Sequence, residues 1–241
     1  MFLDSDDILA NRSIEFAQKE MMETNANVLM GDFYRETAEK QFIKMVDKST
    51  WLHGKVYKRA FLEENNIRFS KGYNEDGAFN TQCYMLSDAV HELSYPMYFW
   101  MNNHNSITRS EELFAFKYAP DLISTLNEAY LNIFTHSEKN MKILNNLGIH
   151  CALFYSFMNK LLTLDTEWKG DSFNKCEKEI YLFSKNNIDI LSDEEKKYLK
   201  KGFAFGYLKH ASSPFLLELN TFCNKYFNFG DINAEDFAEL K

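Results

Sequence analysis

A chain of 241 residues that is 45% hydrophobic can fill a real core, as one large domain or two modest ones, which excludes intrinsic disorder as the default state. Lys and Arg total 27 against 35 Asp and Glu, a net charge of -8, so no global basic field draws in a nucleic-acid backbone. The four cysteines (Cys83, Cys151, Cys176, Cys223) stand singly, as buried thiols of a reducing compartment do. No apolar run has bilayer-spanning length and no secretory signal opens the chain, so the expected location is the cytoplasm.

The chain opens on a scrap of apolar strand, Met1 to Leu3, followed by Asp4, Ser5, Asp6 and Asp7. Ala10, Ile14, Ala17 and Met21 then form one stripe of a helix that Asp6 or Asp7 could cap. Residues 27 to 34, "NVLMGDFY", read as a strand, and "WLHGKVYKR" reads as a strand running into a short helix, "RAFLEENN". "EDGAFNTQCYML" places Phe79, Cys83 and Leu86 on one helical face, and "AVHEL" and "MYFWM" read as two short strands around a turn at Pro96.

From about residue 110 the texture becomes entirely helical. Leu122, Leu126, Ala129 and Ile133 make one stripe; Met141, Leu144, Cys151, Phe154, Met158 and Leu161 make another; Phe173, Cys176, Ile180 and Phe183 make a third. Ser192 and Glu195 have capping-box spacing, and Ser213-Pro214 starts a last amphipathic helix with Phe215, Leu219, Phe222 and Tyr226 inward. The expected division is residues 1–109, α/β, and residues 110–241, helical.

Carboxylates at the C-terminal end of a strand are where an α/β sheet presents groups to a ligand. On extended chain Asp4 and Asp6 would point the same way and Asp7 elsewhere. Hard oxygen ligands suit Mg²⁺ or Mn²⁺, and an ion held by one or two carboxylates keeps positions for phosphate oxygens. The simpler alternative is that the cluster only caps the helix beginning near Ile8. A haloacid-dehalogenase-type phosphatase would need Thr or Val where Ile8 stands, and no later Lys and paired-Asp set follows.

"FLDSDD" resembles the DxD segment of family 2 glycosyltransferases with the GT-A fold. The resemblance extends through "WLHGKVYKRAFLEENNIRF", "YNEDGAFN" and "YPMYFWMNNHNSITRS", in the family's order, over roughly residues 2 to 110. It implies a partial GT-A-like mixed sheet with flanking helices, followed by the all-helical C-terminal region. It also implies transfer of a sugar from a nucleotide-sugar donor to a hydroxyl acceptor (a glycan, lipid-linked or protein acceptor), with Mn²⁺ or Mg²⁺ and with inversion. Carried over by position, Asp4 and Asp6 become the nucleotide-sugar and metal pair, with Asp6 the direct ligand; Asp76 becomes the catalytic base; His104 becomes a further ligand to the metal; Lys55 and Arg59 become donor or substrate contacts. Trp51, Tyr73, Tyr98 and Trp100 read either as a sugar-stacking platform or as core.

The family's upstream strand, its P-x-Y-N-type turn and its D-G-S-x-D-type segment are not in this sequence. The resemblance therefore leads to the expectation of a second polypeptide supplying the nucleotide-binding half, of a homo-oligomer, or of a longer parent enzyme. A non-catalytic binding or assembly module built on the same scaffold is the alternative. Lys196, Lys197, Lys200 and Lys201 form a basic patch that reads as a solvated helix face or as a peripheral membrane contact.

Overall fold

The computed structural model describes residues 1–46, 51–103, 113–210 and 216–238, and the chain divides into two units, Met1–Glu112 and Leu113–Lys241. In the first, the described strands make one mixed sheet. Its spine is β2 (Val28–Glu36), which opens on the consecutive apolar residues Val28 and Leu29, both fully buried because the strand is covered on its two faces. Strand β5 (Val90–Trp100) runs parallel along one edge of β2, while β3 (Phe42–Lys44) and β4 (Lys55–Tyr57) pair antiparallel with opposite ends of the other edge. The short β1 (Ile8–Leu9) is antiparallel to the far side of β5. A parallel β2–β5 pair needs a crossover, and α2 (Arg59–Glu64) and α3 (Glu75–Leu86) lie within it.

Alternation along β2 assigns its two faces. Val28 packs with Tyr57, Phe61, Ile67, Phe79 and Cys83, the side of α2 and α3. Leu29 and Phe33 pack with Met97, Tyr98 and Ala17 of α1 (Ser13–Thr24), so helices flank the sheet on both faces. Expected Phe79 and Cys83 are on the inner face of α3, at 2% and 0% exposure.

Three local expectations change. Ile8 and Leu9 are strand, so helix α1 begins only at Ser13; its N-cap is Arg12 in the left-handed region, and neither Asp6 nor Asp7 caps it. Of its apolar stripe Ala17 is buried but Ile14 is 64% exposed. Third, Pro96 makes no turn: β5 is continuous, and the lost donor is absorbed where its register to β2 slips, Leu93 facing Gly31 but Pro96 facing Asp32 and Tyr98 facing Phe33. Strand β3 gave no readable pattern, its three residues all being exposed.

The described residues of the second unit are helical: α4 (Phe114–Lys117), α5 (Ala119–His136), α6 (Met141–Thr163), α7 (Lys169–Asn187), α8 (Asp193–His210), α9 (Leu216–Tyr226) and α10 (Ala234–Ala238). The stripe Leu122, Leu126, Ala129, Ile133 of α5 is inside, as is Leu144 to Leu161 of α6, whereas Met141 is 58% exposed. The capping box forms: Ser192 N–H donates to Glu195 Oε2 at 2.7 Å, and Glu195 N–H donates to Ser192 Oγ at 3.3 Å. Ser213, Pro214 and Phe215 lie outside the described residues, and Leu219, Phe222 and Tyr226 are buried. All four cysteines are buried and none forms a disulfide. Among the described residues no helix is long and apolar enough to cross a membrane.

Candidate functional site

The acidic opening is a turn rather than extended chain. Asp7 N–H donates to Asp4 O at 3.1 Å, and this closure replaces strand alternation. The side chains that converge are accordingly Asp4 and Asp7, whereas Asp6 is exposed and accepts from Asn103 Nδ2 at 2.7 Å. Strand β5 fixes the turn from 91 to 94 residues away. Tyr98 OH donates to Asp7 Oδ2 at 2.6 Å and accepts from Asp4 N–H at 3.3 Å, and Met101 N–H donates to Asp7 Oδ1 at 2.8 Å. Burial pushes the Asp7 carboxyl up, against the Tyr98 and Met101 hydrogen bonds that favour its ionised form. Asp4 is pushed up as well, by burial and then by the charge of Asp6.

A third group enters from the start of β4. Gly54 adopts φ +70, a left-handed conformation that costs a residue with Cβ, and this corner delivers His53 beneath the acidic turn. The His53 ring is packed by Tyr98 at 4.7 Å, Trp100 at 5.1 Å and Phe33 at 5.3 Å, with its side chain 8% exposed. Its Nε2 stands 3.9 Å from Asp4 Oδ2 and 3.9 Å from Asp7 Oδ2, while Nδ1 is buried without a hydrogen-bond partner. Burial lowers the imidazole to about 4, even though Asp7 pulls the other way, so the ring is neutral at pH 7. Two carboxylates and a neutral imidazole within 4.8 Å of one another are a chemically suitable donor set for a divalent cation. Sequence reasoning passed over His53; its one signal was a histidine set among aromatic and apolar residues just before a glycine.

Asp76 lies in the first turn of α3, where the helix dipole favours the ionised carboxylate. Burial prevails over the dipole. With further contributions from Glu75 and Asp4, and opposed by Lys55, it raises Asp76 to about 6. Asp4 is therefore near enough for its charge to act on Asp76, which ties the two ends of the sequence pattern together electrostatically.

The other expected residues separate. Lys55 is fully buried and donates from Nζ to the Trp51 carbonyl, and its charge bears on Asp76, His53 and Cys83. Arg59 is 90% exposed and paired with Glu63 of its own helix at 2.7 Å. His104 lies outside the described residues, though its chain neighbour Asn103 is the residue holding Asp6. Trp51 and Trp100 contact each other at 5.0 Å and enclose His53, with Tyr98 buried beside them; Tyr73 is half-buried under the influence of Glu75 and Asp76.

The chain matches no protein-family model and no curated protein. Among solved structures it is similar to Staphylococcus aureus TarS 1-349, with a TM-score of 0.52 at 15% identity over 86% of this chain and 63% of that one. A second structure, S. aureus TarS 1-349 in complex with UDP-GlcNAc, matches with a TM-score of 0.45 at 15% identity over 86% of this chain and 64% of that one. The first likeness shows a shared fold: an α/β mixed sheet with flanking helices and a helical C-terminal region. The chain spans less than two thirds of either TarS chain.

Proposed function

We propose that this protein is a glycosyltransferase, or one part of a split one, that moves a sugar from a nucleotide-sugar donor to a hydroxyl acceptor by a single inverting displacement. The observation that carries the reading is geometric: Asp76, half-buried in the first turn of α3, lies near enough to the acidic turn for the charge of Asp4 to reach it. The sequence resemblance and the fold shared with TarS support it, and a nucleotide sugar, UDP-GlcNAc, is the ligand of that TarS complex.

In the proposed reaction the acceptor oxygen forms a bond to the anomeric carbon as the bond to the departing diphosphate breaks. The hydroxyl proton passes to Asp76, whose raised affinity for it suits a general base near neutral pH. A divalent cation, Mn²⁺ or Mg²⁺, would supply neutralisation of the charge that develops on the leaving diphosphate. Asp6, on the exposed side of the turn, would hold that cation with His104, Asp4 would face the nucleotide sugar, Arg59 would contact donor or acceptor, and the fully buried Lys55 would act on Asp76 through its charge. Glycan, lipid-linked and protein hydroxyls all satisfy this chemistry.

The test is release of UDP from UDP-GlcNAc in the presence of Mn²⁺, with a candidate second polypeptide or a homo-oligomer assayed in parallel. Turnover by the wild type that disappears in Asp76→Asn while donor binding persists is the expected result. Equal turnover by wild type and Asp76→Asn would refute the role of the base.

A specific observation favours the non-catalytic alternative. Met1, Ile14, Met21, Met22 and Val56 line an open apolar hollow of about 640 Å³ on the first unit. An assembly module predicts an oligomer or hetero-complex by light scattering that chelators and Asp6→Ala leave unchanged.

A further inference from the structure

We propose that the outward face of α8 in the helical unit docks the chain on an anionic lipid bilayer. Phe205 and Leu208 enter the headgroup layer, and Lys197, Lys201 and Lys209 meet its phosphates. The proposal goes beyond the transferase reading and uses none of its residues.

Burial along α8 defines that face. Leu199, Gly202, Phe203 and Gly206 are buried, and the two glycines lie against α6: a Cβ at Gly202 would meet the Asn145 carbonyl, and one at Gly206 the Ile149 backbone. So close a backbone approach fixes the rotation of α8 about its own axis. Lys197, Lys201, Phe205 and Leu208 follow one another at intervals of four and three on the other side, with Lys209 at its border. Phe205 is 48% and Leu208 59% exposed; Lys197 and Lys209 are exposed and Lys201 is half-buried. The lysines that the sequence presents as one patch are thereby divided, because Lys200 turns aside and donates to the Asp231 carbonyl at 3.1 Å. Helix α10 packs on the Tyr207 side, its Phe237 ring 6.3 Å from that of Tyr207. Two residues are about 200° around a helix, so α10 leaves Phe205 open.

Charge selects the partner. From Lys196 to His210 the helix carries five lysines and no carboxylate, in a chain whose net charge is -8. Its acidic residues, Asp193, Glu194 and Glu195, are all in the first turn, and Glu195 is engaged there with Ser192. Glu194 is about 16 Å along the axis from Phe205, roughly twice the screening length at physiological salt, so it does not cancel the basic end.

Phe205 stands between Lys201 and Lys209, one turn away on either side. Lysine stems can lie along apolar surface while their ammonium groups reach phosphate oxygens, which suits this arrangement to the boundary between headgroups and acyl chains. A nucleic acid would engage the lysines but leave Phe205 and Leu208 in water. The buried centre of a protein interface would take the two apolar side chains, but lysine is depleted there.

Co-sedimentation of the full chain with vesicles is the test, comparing phosphatidylcholine alone with phosphatidylcholine containing about one third phosphatidylglycerol. We expect binding to the anionic vesicles only, weakening as salt is raised. A lysine at an anionic surface is worth about fivefold, so Lys197→Gln with Lys209→Gln weakens binding by on the order of twentyfold. Lys178→Gln with Lys185→Gln, the same change of charge at exposed positions of α7, leaves it within about twofold. Phe205→Ser, at an exposed position, weakens it by at least about fivefold while the circular dichroism spectrum is unchanged. No binding to anionic vesicles, equal binding to both compositions, or equal weakening by the α7 pair would overturn the proposal. So would a concentration-dependent oligomer in light scattering that Phe205→Ser dissolves, since the face would then be a contact between copies of the chain.

Discussion

At the scale of single residues, the carboxylates of the first unit sit in unequal surroundings. Asp76 binds its proton more tightly in the folded chain, at about 6, than at the ordinary 3.8. The folded state therefore holds more protons than the unfolded one across that window, and stability falls as pH rises through it before levelling above 6. Asp76→Asn is expected to be more stable than wild type at pH 8 by on the order of 1–3 kcal/mol, with the gap closing near pH 4, as measured by urea unfolding. In the wild type kcat/KM should rise through about 6 and then plateau, since the base acts only when ionised. Tyr98→Phe removes the 2.6 Å bond to a largely buried carboxylate, so a loss of about 1.5–3 kcal/mol in unfolding free energy is expected, accompanied by weaker Mn²⁺ binding. Residue roles were only half legible in the sequence. Its acidic residues announced a site, but alternation along a strand put Asp4 with Asp6, and only the closing Asp7 to Asp4 bond and Tyr98, more than ninety positions distant, bring Asp7 inward. His53 depends on the same tertiary partners.

At the scale of elements, the periodic signals translated well where one face is buried. The strand at 27 to 34, the strand and helix around Lys55, and the helix from Glu75 appear close to their expected bounds, as do the helical stripes after residue 113. Departures arose where local chemistry was overruled by pairing. Proline at position 96 suggests a break, but the register slip in β5 accommodates it, and Ile8 and Leu9 are drawn from the expected helix into pairing with Phe99 and Tyr98. Two glycines that carry no periodicity decide how α6 and α8 cross. A Cβ at Gly148 would meet the Leu199 carbonyl, and one at Gly202 would meet the Asn145 carbonyl. Gly148→Ala is therefore expected to destabilise by about 1–3 kcal/mol through overpacking, far more than the same change at Gly170, which meets nothing. Ser192→Ala, which removes half of the capping box of α8, should cost about 1 kcal/mol; a Tm indistinguishable from wild type would show that the cap is idle.

At the scale of the whole molecule, the chain is an α/β unit carrying the acidic turn and a helical unit with its own core, the latter built from residues such as Leu126, Tyr130, Phe154 and Phe183. Residues 113–241 expressed alone should give a helical circular dichroism spectrum and a cooperative melt, whereas a broad, non-cooperative transition would show that this core is incomplete by itself. The fold it shares with TarS extends over 63% of that chain. The acidic turn is proposed to grip a nucleotide diphosphate through a divalent cation. Isothermal titration of UDP-GlcNAc into the protein tests this most directly: saturable binding with Mn²⁺ that is abolished by EDTA and by Asp4→Asn is the predicted result. Binding of equal strength with and without the cation, or unchanged by Asp4→Asn, would contradict it.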